Sequence, residues 1–367
     1  MLWHVVITRF SYRHSTIQAG LNGVLPSLLC RDPLQPRRLA FRCAVFELTA
    51  LPSLLRQTTQ DFDWFIIVDR DLPQEWRDRL IRLAAGRART HLRDYDPSED
   101  LSATQWLVPF APPQTDRLLT TLLDDDDALP LDFLEKMRSV IAERDEELAP
   151  IATLASRNCR QWELVHSARA PLGYGCAWHR GPWILTTGLS LLCRWPQHRL
   201  TVLAIQHQVA DLWFIPERGE ALMQLLRERW ALSDQRLVGA APFIAGRIED
   251  FRRRVDDCSD PCAAIEDRAL RFLDISHAVE AFVVSNHFGN DQVLRLFEPK
   301  PDRVPVQGSQ DFPRVPIDWD GFRRNASIFA KHPGIYLDLL RELWSKPMSL
   351  WSRLRMILWA TWRYVRA

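Results

Sequence analysis

Three short runs of almost unbroken apolar and β-branched residues constrain this chain more than any other feature: Trp3-His4-Val5-Val6-Ile7-Thr8, Trp64-Phe65-Ile66-Ile67-Val68 and Leu118 to Leu123. A strand with one face in water alternates apolar and polar residues, whereas a strand without alternation must be covered on both faces. Helical patterns separate the runs. From Arg38 to Gln57 the residues Leu39, Val45, Leu48, Leu51, Leu54 and Leu55 recur at helical spacing, and Pro52 must kink or restart that helix. Pro73 to Ala85 and Pro130 to Ala142 predict two more helices, and His91 to Tyr95 another strand. This alternation predicts an α/β fold with a mixed, mostly parallel sheet flanked by helices. Ligands in such sheets sit at the carboxyl ends of the strands. Asp69 and the run Asp124-Asp125-Asp126-Asp127 both fall there.

Composition narrows the class. Lys+Arg 47 against Asp+Glu 46 leaves a formal charge of +1, so no global basic field points to nucleic acid. The basic side is nearly all arginine, with Lys136, Lys300, Lys331 and Lys346 the exceptions, an imprint of GC-rich, bacterial coding. Cysteines 30, 43, 159, 176, 193, 258 and 262 form no CxxC pair, which argues against structural zinc and for a reducing compartment. No leader-like start and no spanning apolar window is expected. Beyond Pro150 the strands become short and interrupted, His198 to Trp213 predicts a helix, and prolines 299, 301, 305, 313 and 316 suggest a linker or an arm on the surface.

Four consecutive aspartates repel one another unless a positive group offsets them. A hard divalent cation is one such partner. A solvated loop that caps the helix after Pro130 is the other reading, although capping needs only one carboxylate. Among metal-dependent chemistries, a DDxxD prenyl-diphosphate site needs an acid where Ala128 stands, and a DxDx[ST] phosphatase needs a hydroxyl there. A nucleotide-sugar transferase needs only a short acidic motif after a buried strand, and this fits.

Leu51-Pro52-Ser53-Leu54-Leu55-Arg56-Gln57-Thr58, Asp61-Phe62-Asp63-Trp64, Ile66-Ile67-Val68-Asp69 and Leu123-Asp124-Asp125-Asp126-Asp127-Ala128-Leu129 together resemble the opening of a GT-A glycosyltransferase. Thr8-Arg9-Phe10 and the LDDDDAL run resemble, more narrowly, a bacterial rhamnosyltransferase family. The resemblance is good over about residues 3–140, looser to about 300 and absent beyond, and it departs at Leu122, where the family pattern leads to an expected arginine. It implies a GT-A-like (Rossmann-like) fold and transfer from a nucleotide-sugar donor to a glycan or lipid-linked acceptor in surface polysaccharide assembly. It further implies Arg9, Asp69, Asp124 and Asp125 at the donor, and Asp126 and Asp127 on Mn²⁺ or Mg²⁺.

The acceptor side is less legible. His207 and Asp211 stand i, i+4 on a predicted helix and share a face, suiting a further metal ligand and a general base. A solvated helix surface explains them equally, and Glu217 and Asp234 are weaker candidates for the base. Trp106, Trp178, Trp183 and Trp195 suit either sugar-stacking or core packing. Gly188, in Thr186-Thr187-Gly188-Leu189-Ser190, marks either a close sugar approach or an ordinary turn. A sugar-nucleotide pyrophosphorylase, which wants a glycine-rich loop with arginine after the first strand, is discounted because Arg9-Phe10-Ser11-Tyr12-Arg13 lacks those glycines. The rival from another class is a non-catalytic carbohydrate- or partner-binding protein that retains the fold.

The expected layout is a catalytic domain over 1–270, an extension over 271–348 and an amphipathic basic-aromatic helix over 349–367. Residues 341–367 hold five Arg and one Lys against Glu342, and four of the fifteen Trp. This helix suits peripheral contact with the inner face of the membrane by a cytoplasmic protein, or docking on the domain or on a second subunit.

Overall fold

The computed structural model describes residues 1–12, 32–144, 148, 150–156, 158–164, 174–180, 187–205, 253–259, 270–279, 282–286, 304–325 and 349–366, with isolated positions between 328 and 344. Each apolar run forms a strand: β1 (Leu2–Phe10), β2 (Asp63–Asp69) and β4 (Arg117–Asp124), with β3 (Thr90–Tyr95) beside β2. Further along the chain come β5 (Ile151–Ala155), β6 (Asn158–Glu163), β7 (Tyr174–Arg180), β8 (Ser190–Arg194), β9 (Leu270–Asp274), β10 (Phe282–Asn286) and β11 (Val304–Pro305). The main sheet has seven strands in the order β3-β2-β1-β4-β8-β5-β9. Strands β3, β2, β1 and β4 run parallel, β8 is antiparallel to both neighbours, and β9 is parallel to β5. A smaller sheet has the order β10-β6-β7-β11.

Lack of alternation in the sequence becomes burial on both faces. Val6 and Phe10 of β1 join Trp64, Ile66 and Val68 of β2 in one core cluster, while Trp3, Val5 and Ile7 join Phe65 and Ile67 in the other. The helices α1 (Pro36–Leu48), α2 (Ala50–Leu55), α3 (Gln74–Ala84) and α4 (Phe133–Glu143) bear out the predicted ones. The first pattern splits at Thr49, whose hydroxyl donates to Val45 O at 2.7 Å. Pro52 lies in the first turn of α2, where a missing N–H costs nothing.

Two expectations change. The helix predicted from His198 onward is, over 198–205, a bridge to Ser259 followed by the single 3₁₀ turn Val202–Ala204, because Val202 and Leu200 turn into the sheet's core. The proline-bearing stretch is no surface arm between 306 and 322: Val306, Phe312, Val315, Ile317, Trp319 and Phe322 pack with Trp162 against Phe41, Val45 and Leu48 of α1. Trp162 sits 5.1 Å from Trp319 and 4.8 Å from Phe322, ring centre to ring centre. Gly321, in α5 (Trp319–Arg324), has no room for a Cβ beside Leu48 and Asp318. β9 pairs in parallel with β5 at one edge of the main sheet. Buried aromatic pairing places the 306–322 segment, and prolines set between its anchors do not oppose it.

His4 is fully buried, with Nε2 2.9 Å from Thr121 Oγ1. Burial, helped by the charge of Arg138 and opposed by Asp61, pushes its imidazole down to about 3. Below the ordinary pKa of 6.5 the unfolded chain therefore takes up a proton that the folded chain refuses. Stability is intact above that value and falls as pH drops toward about 3. In urea titrations between pH 6 and 4, His4→Gln should lower the slope of stability against pH, at most by about 1.4 kcal/mol per pH unit; superimposable slopes would refute this.

Candidate active site

The four parallel strands end together. β3 finishes at Tyr95, β2 at Asp69, β1 at Phe10 and β4 at Asp124, with Asp69 in register with Tyr95 and Arg9 with Asp124. On leaving β1 the chain order moves to β2 on one side and β4 on the other, the switch point where such sheets open a crevice. Sequence reading placed Arg9, Asp69 and the acidic run here, and the fold brings them to one edge.

Arg9 donates to Asp124 Oδ1 from Nη2 at 2.7 Å and from Nε at 3.2 Å. Burial alone would lower the guanidinium pKa, but the Asp124 carboxylate outweighs it and holds the charge firmly on Arg9. Tyr12, whose ring lies 4.6 Å from that of Tyr95, has its phenol pushed up to about 12 by burial, against the pull of Arg9. Asp69 is buried, and its Oδ1 accepts from Asp71 N at 2.9 Å, so its side chain shapes the turn leaving β2.

The acidic run divides its work. Asp125 is wholly buried and accepts from Nε and Nη2 of Arg42 on α1, a two-pronged pair. Nη1 of Arg42 lies 3.5 Å from Asp126 Oδ2. Asp127, also buried, accepts a hydrogen bond from the Thr187 hydroxyl, and its N–H donates to Asp124 O at 3.2 Å. Asp124, about a quarter exposed, is the most open of the four. Burial pushes the Asp125 carboxyl up to about 7; Arg42 opposes this, and Asp126 adds to it. Much of the positive charge that the run demanded therefore comes from Arg9 and Arg42. Arg42 was missed because, 83 residues upstream, it gives no local signal. Asp125, expected at the donor, spends both oxygens on Arg42.

Other motif residues prove to be scaffolding. Gln57 donates to Ser53 O at 2.8 Å and Pro130 O at 2.7 Å and accepts from Leu134 N, clamping α2 to the loop behind the acidic turn. Asp63 takes hydrogen bonds from Trp3, Arg89 and His91. Gly188 adopts φ +75° with the Phe133 ring against it, and its N–H donates to Leu122 O, so it is a turn glycine. Trp106 is core, donating to Leu101 O, and Trp195 packs edge-on against Trp3. Trp178 lies on β7, its side chain outside the described residues along with Trp183, His207, Asp211, Glu217 and Asp234.

Among the described residues no three acidic, His or Cys side chains converge as a metal cage. A cation held by one or two carboxylates and completed by substrate phosphates needs no cage. Asp126 and Asp127 carry carboxylates of the kind that role needs, whereas Asp125 has both oxygens on Arg42.

The acidic turn thus lies at the switch point of a mixed, mostly parallel α/β sheet, the Rossmann-like arrangement expected from the sequence, with α1, α2, α3 and α4 packed in one core cluster. Residues 4–157, which build β1 to β5, match the family model described as "Putative rhamnosyl transferase". The resemblance read from Thr8-Arg9-Phe10 and the LDDDDAL run thus holds over that segment, which is less than half of the chain. No curated protein matches in sequence. Among solved structures, S. aureus TarS 1–349 in complex with UDP is 9% identical, with 97% of this chain and 70% of that chain covered and a TM-score of 0.31. A "putative nucleotide-diphospho-sugar transferase" from Desulfovibrio desulfuricans G20 is 11% identical, with 89% and 96% covered and a TM-score of 0.31. Superpositions this loose transfer no function, and the fold rests on the strand ladders themselves.

Removing one partner of a buried ion pair strands the other charge. Arg42→Met should cost about 3–5 kcal/mol in urea unfolding, and Arg42→Met/Asp125→Asn should recover part of it. Additive losses in the double variant would show that the two side chains do not act as a pair.

Proposed function

We propose that this protein is a nucleotide-sugar-dependent glycosyltransferase, with rhamnose as the transferred sugar that the family description suggests and a glycan or lipid-linked acceptor in surface polysaccharide assembly. The observation that carries the reading is the common edge of β3, β2, β1 and β4, which gathers Asp69, Arg9 and the acidic turn at the switch point within the family-matched segment. A binding protein could keep the fold, but three carboxylates at the end of one strand, held in place by Arg9, Arg42 and Thr187, make a preorganised electrostatic site.

In this reading the nucleoside lies over the ends of β1 and β2, beside Asp69 and the Tyr12–Tyr95 pair. Arg9 meets the donor diphosphate while Asp124 holds its guanidinium in place. Asp126 and Asp127 would hold Mn²⁺ or Mg²⁺, with His207 as a further ligand, while Asp125 positions the turn through Arg42. When bound, the cation stabilises charge developing on the departing nucleoside diphosphate. Asp211 takes the proton of the acceptor hydroxyl as the acceptor oxygen bonds to the anomeric carbon.

Two measurements test this. A thermal-shift panel of UDP-, GDP- and dTDP-sugars with Mn²⁺ should raise the midpoint for one donor, by the mass action of binding to the native state. Asp126→Asn should lose that shift while keeping its ligand-free midpoint; no shift from any donor would refute the reading. Asp211→Asn should keep the donor shift and lose turnover by about 10²–10⁴-fold. Unaltered turnover would move the base elsewhere.

A further inference from the structure

The last helix, α6 (Leu350–Arg366), takes no part in the site described above. Leu354, Ile357 and Thr361 are half-buried, so one flank of the helix is partly covered. Trp351, Arg355, Leu358 and Trp362 follow at i, i+4, i+7 and i+11, the spacing of a single stripe, and all are exposed. Trp351 is 83% exposed, Leu358 69% and Trp362 46%. Just upstream, Trp344 is 53% exposed and has Arg353 over its ring at 5.6 Å. Large apolar side chains left open in a contiguous stripe mark a surface that another body covers.

We propose that this stripe seats the protein on an anionic lipid bilayer surface. Charge selects among the occupants. The segment 341–367 carries +5, so a second copy would bring like charge against like. Arg355 stands inside the apolar stripe, where an apolar protein groove would have to bury it unpaired. A headgroup layer instead offers phosphates at the depth where tryptophan rings settle, between water and hydrocarbon. No helix among the described residues is long and apolar enough to cross a membrane, so the attachment is in-plane and peripheral. The inference is independent of the proposed chemistry and stands if the donor assignment fails.

Flotation of the full chain with phosphatidylcholine vesicles, with and without phosphatidylglycerol, tests it. Binding should be at least tenfold stronger to the anionic vesicles and weaken as salt rises. Trp351→Ser/Leu358→Ser/Trp362→Ser should lose at least tenfold in partitioning with its thermal midpoint unchanged. In the unaltered chain, brominated phosphatidylcholine within anionic vesicles should quench part of the tryptophan fluorescence. Absence of anionic flotation, equal flotation of the triple variant, or no quenching would overturn the proposal. So would a collapsed thermal transition in the triple variant, since the stripe would then be core. A self-association that the triple variant abolishes, without vesicle binding, would assign the stripe to a second copy instead.

Discussion

The site depends on neutralising a cluster of carboxylates that the sheet itself forces together. β4 ends at the crevice, so the residues that follow it point their carboxylates into a partly dry space where like charges repel strongly. Two arginines make this tolerable. Arg9 is fixed by the register of β1 on β4, and Arg42 by the packing of α1 over the sheet. Asp125 and Asp127 are tied into the protein by Arg42 and Thr187, and a turn held by its own side chains loses little entropy on binding.

This arrangement links the outer layers of the molecule to its chemistry. α1 lies between the sheet and the segment 306–322, whose aromatic residues close over Phe41, Val45 and Leu48. The helix that presents Arg42 is thus held from both sides. Gln57 does similar work at the end of α2, bonding the loop that follows the acidic run. A segment more than 180 residues downstream of the acidic turn, Arg314, also reaches back to Asp132 at the start of α4. Distant parts of the chain converge on one short loop, which is why its geometry is specific.

Local pattern read from the sequence determined the strands, most helices and the acidic turn, because burial on both faces of a strand and helical periodicity are written in consecutive residues. The strands β1, β2, β3 and β4, the break near Pro52, and the position of Asp69 and Asp124 at strand ends were legible in this way. So was the basic, tryptophan-rich character of the last helix. Several motif residues were legible as a pattern without their cause: Asp63 and Gln57 recur in the resemblance, but they serve hydrogen bonds inside the scaffold.

What tertiary structure alone decided was which charges meet. The partner of Asp125 is 83 residues away on another element, and no spacing rule connects them. Burial of the 306–322 segment depended on the aromatic surface of α1 and Trp162, which exists only once the sheet is built. The turn after His198 followed the core beneath it and not its own periodicity. The open stripe of α6 was settled by which flank found a neighbour, since amphipathic spacing shows a face but not what covers it. Local preferences are written along the chain, whereas charge compensation and burial depend on residues that only folding brings together.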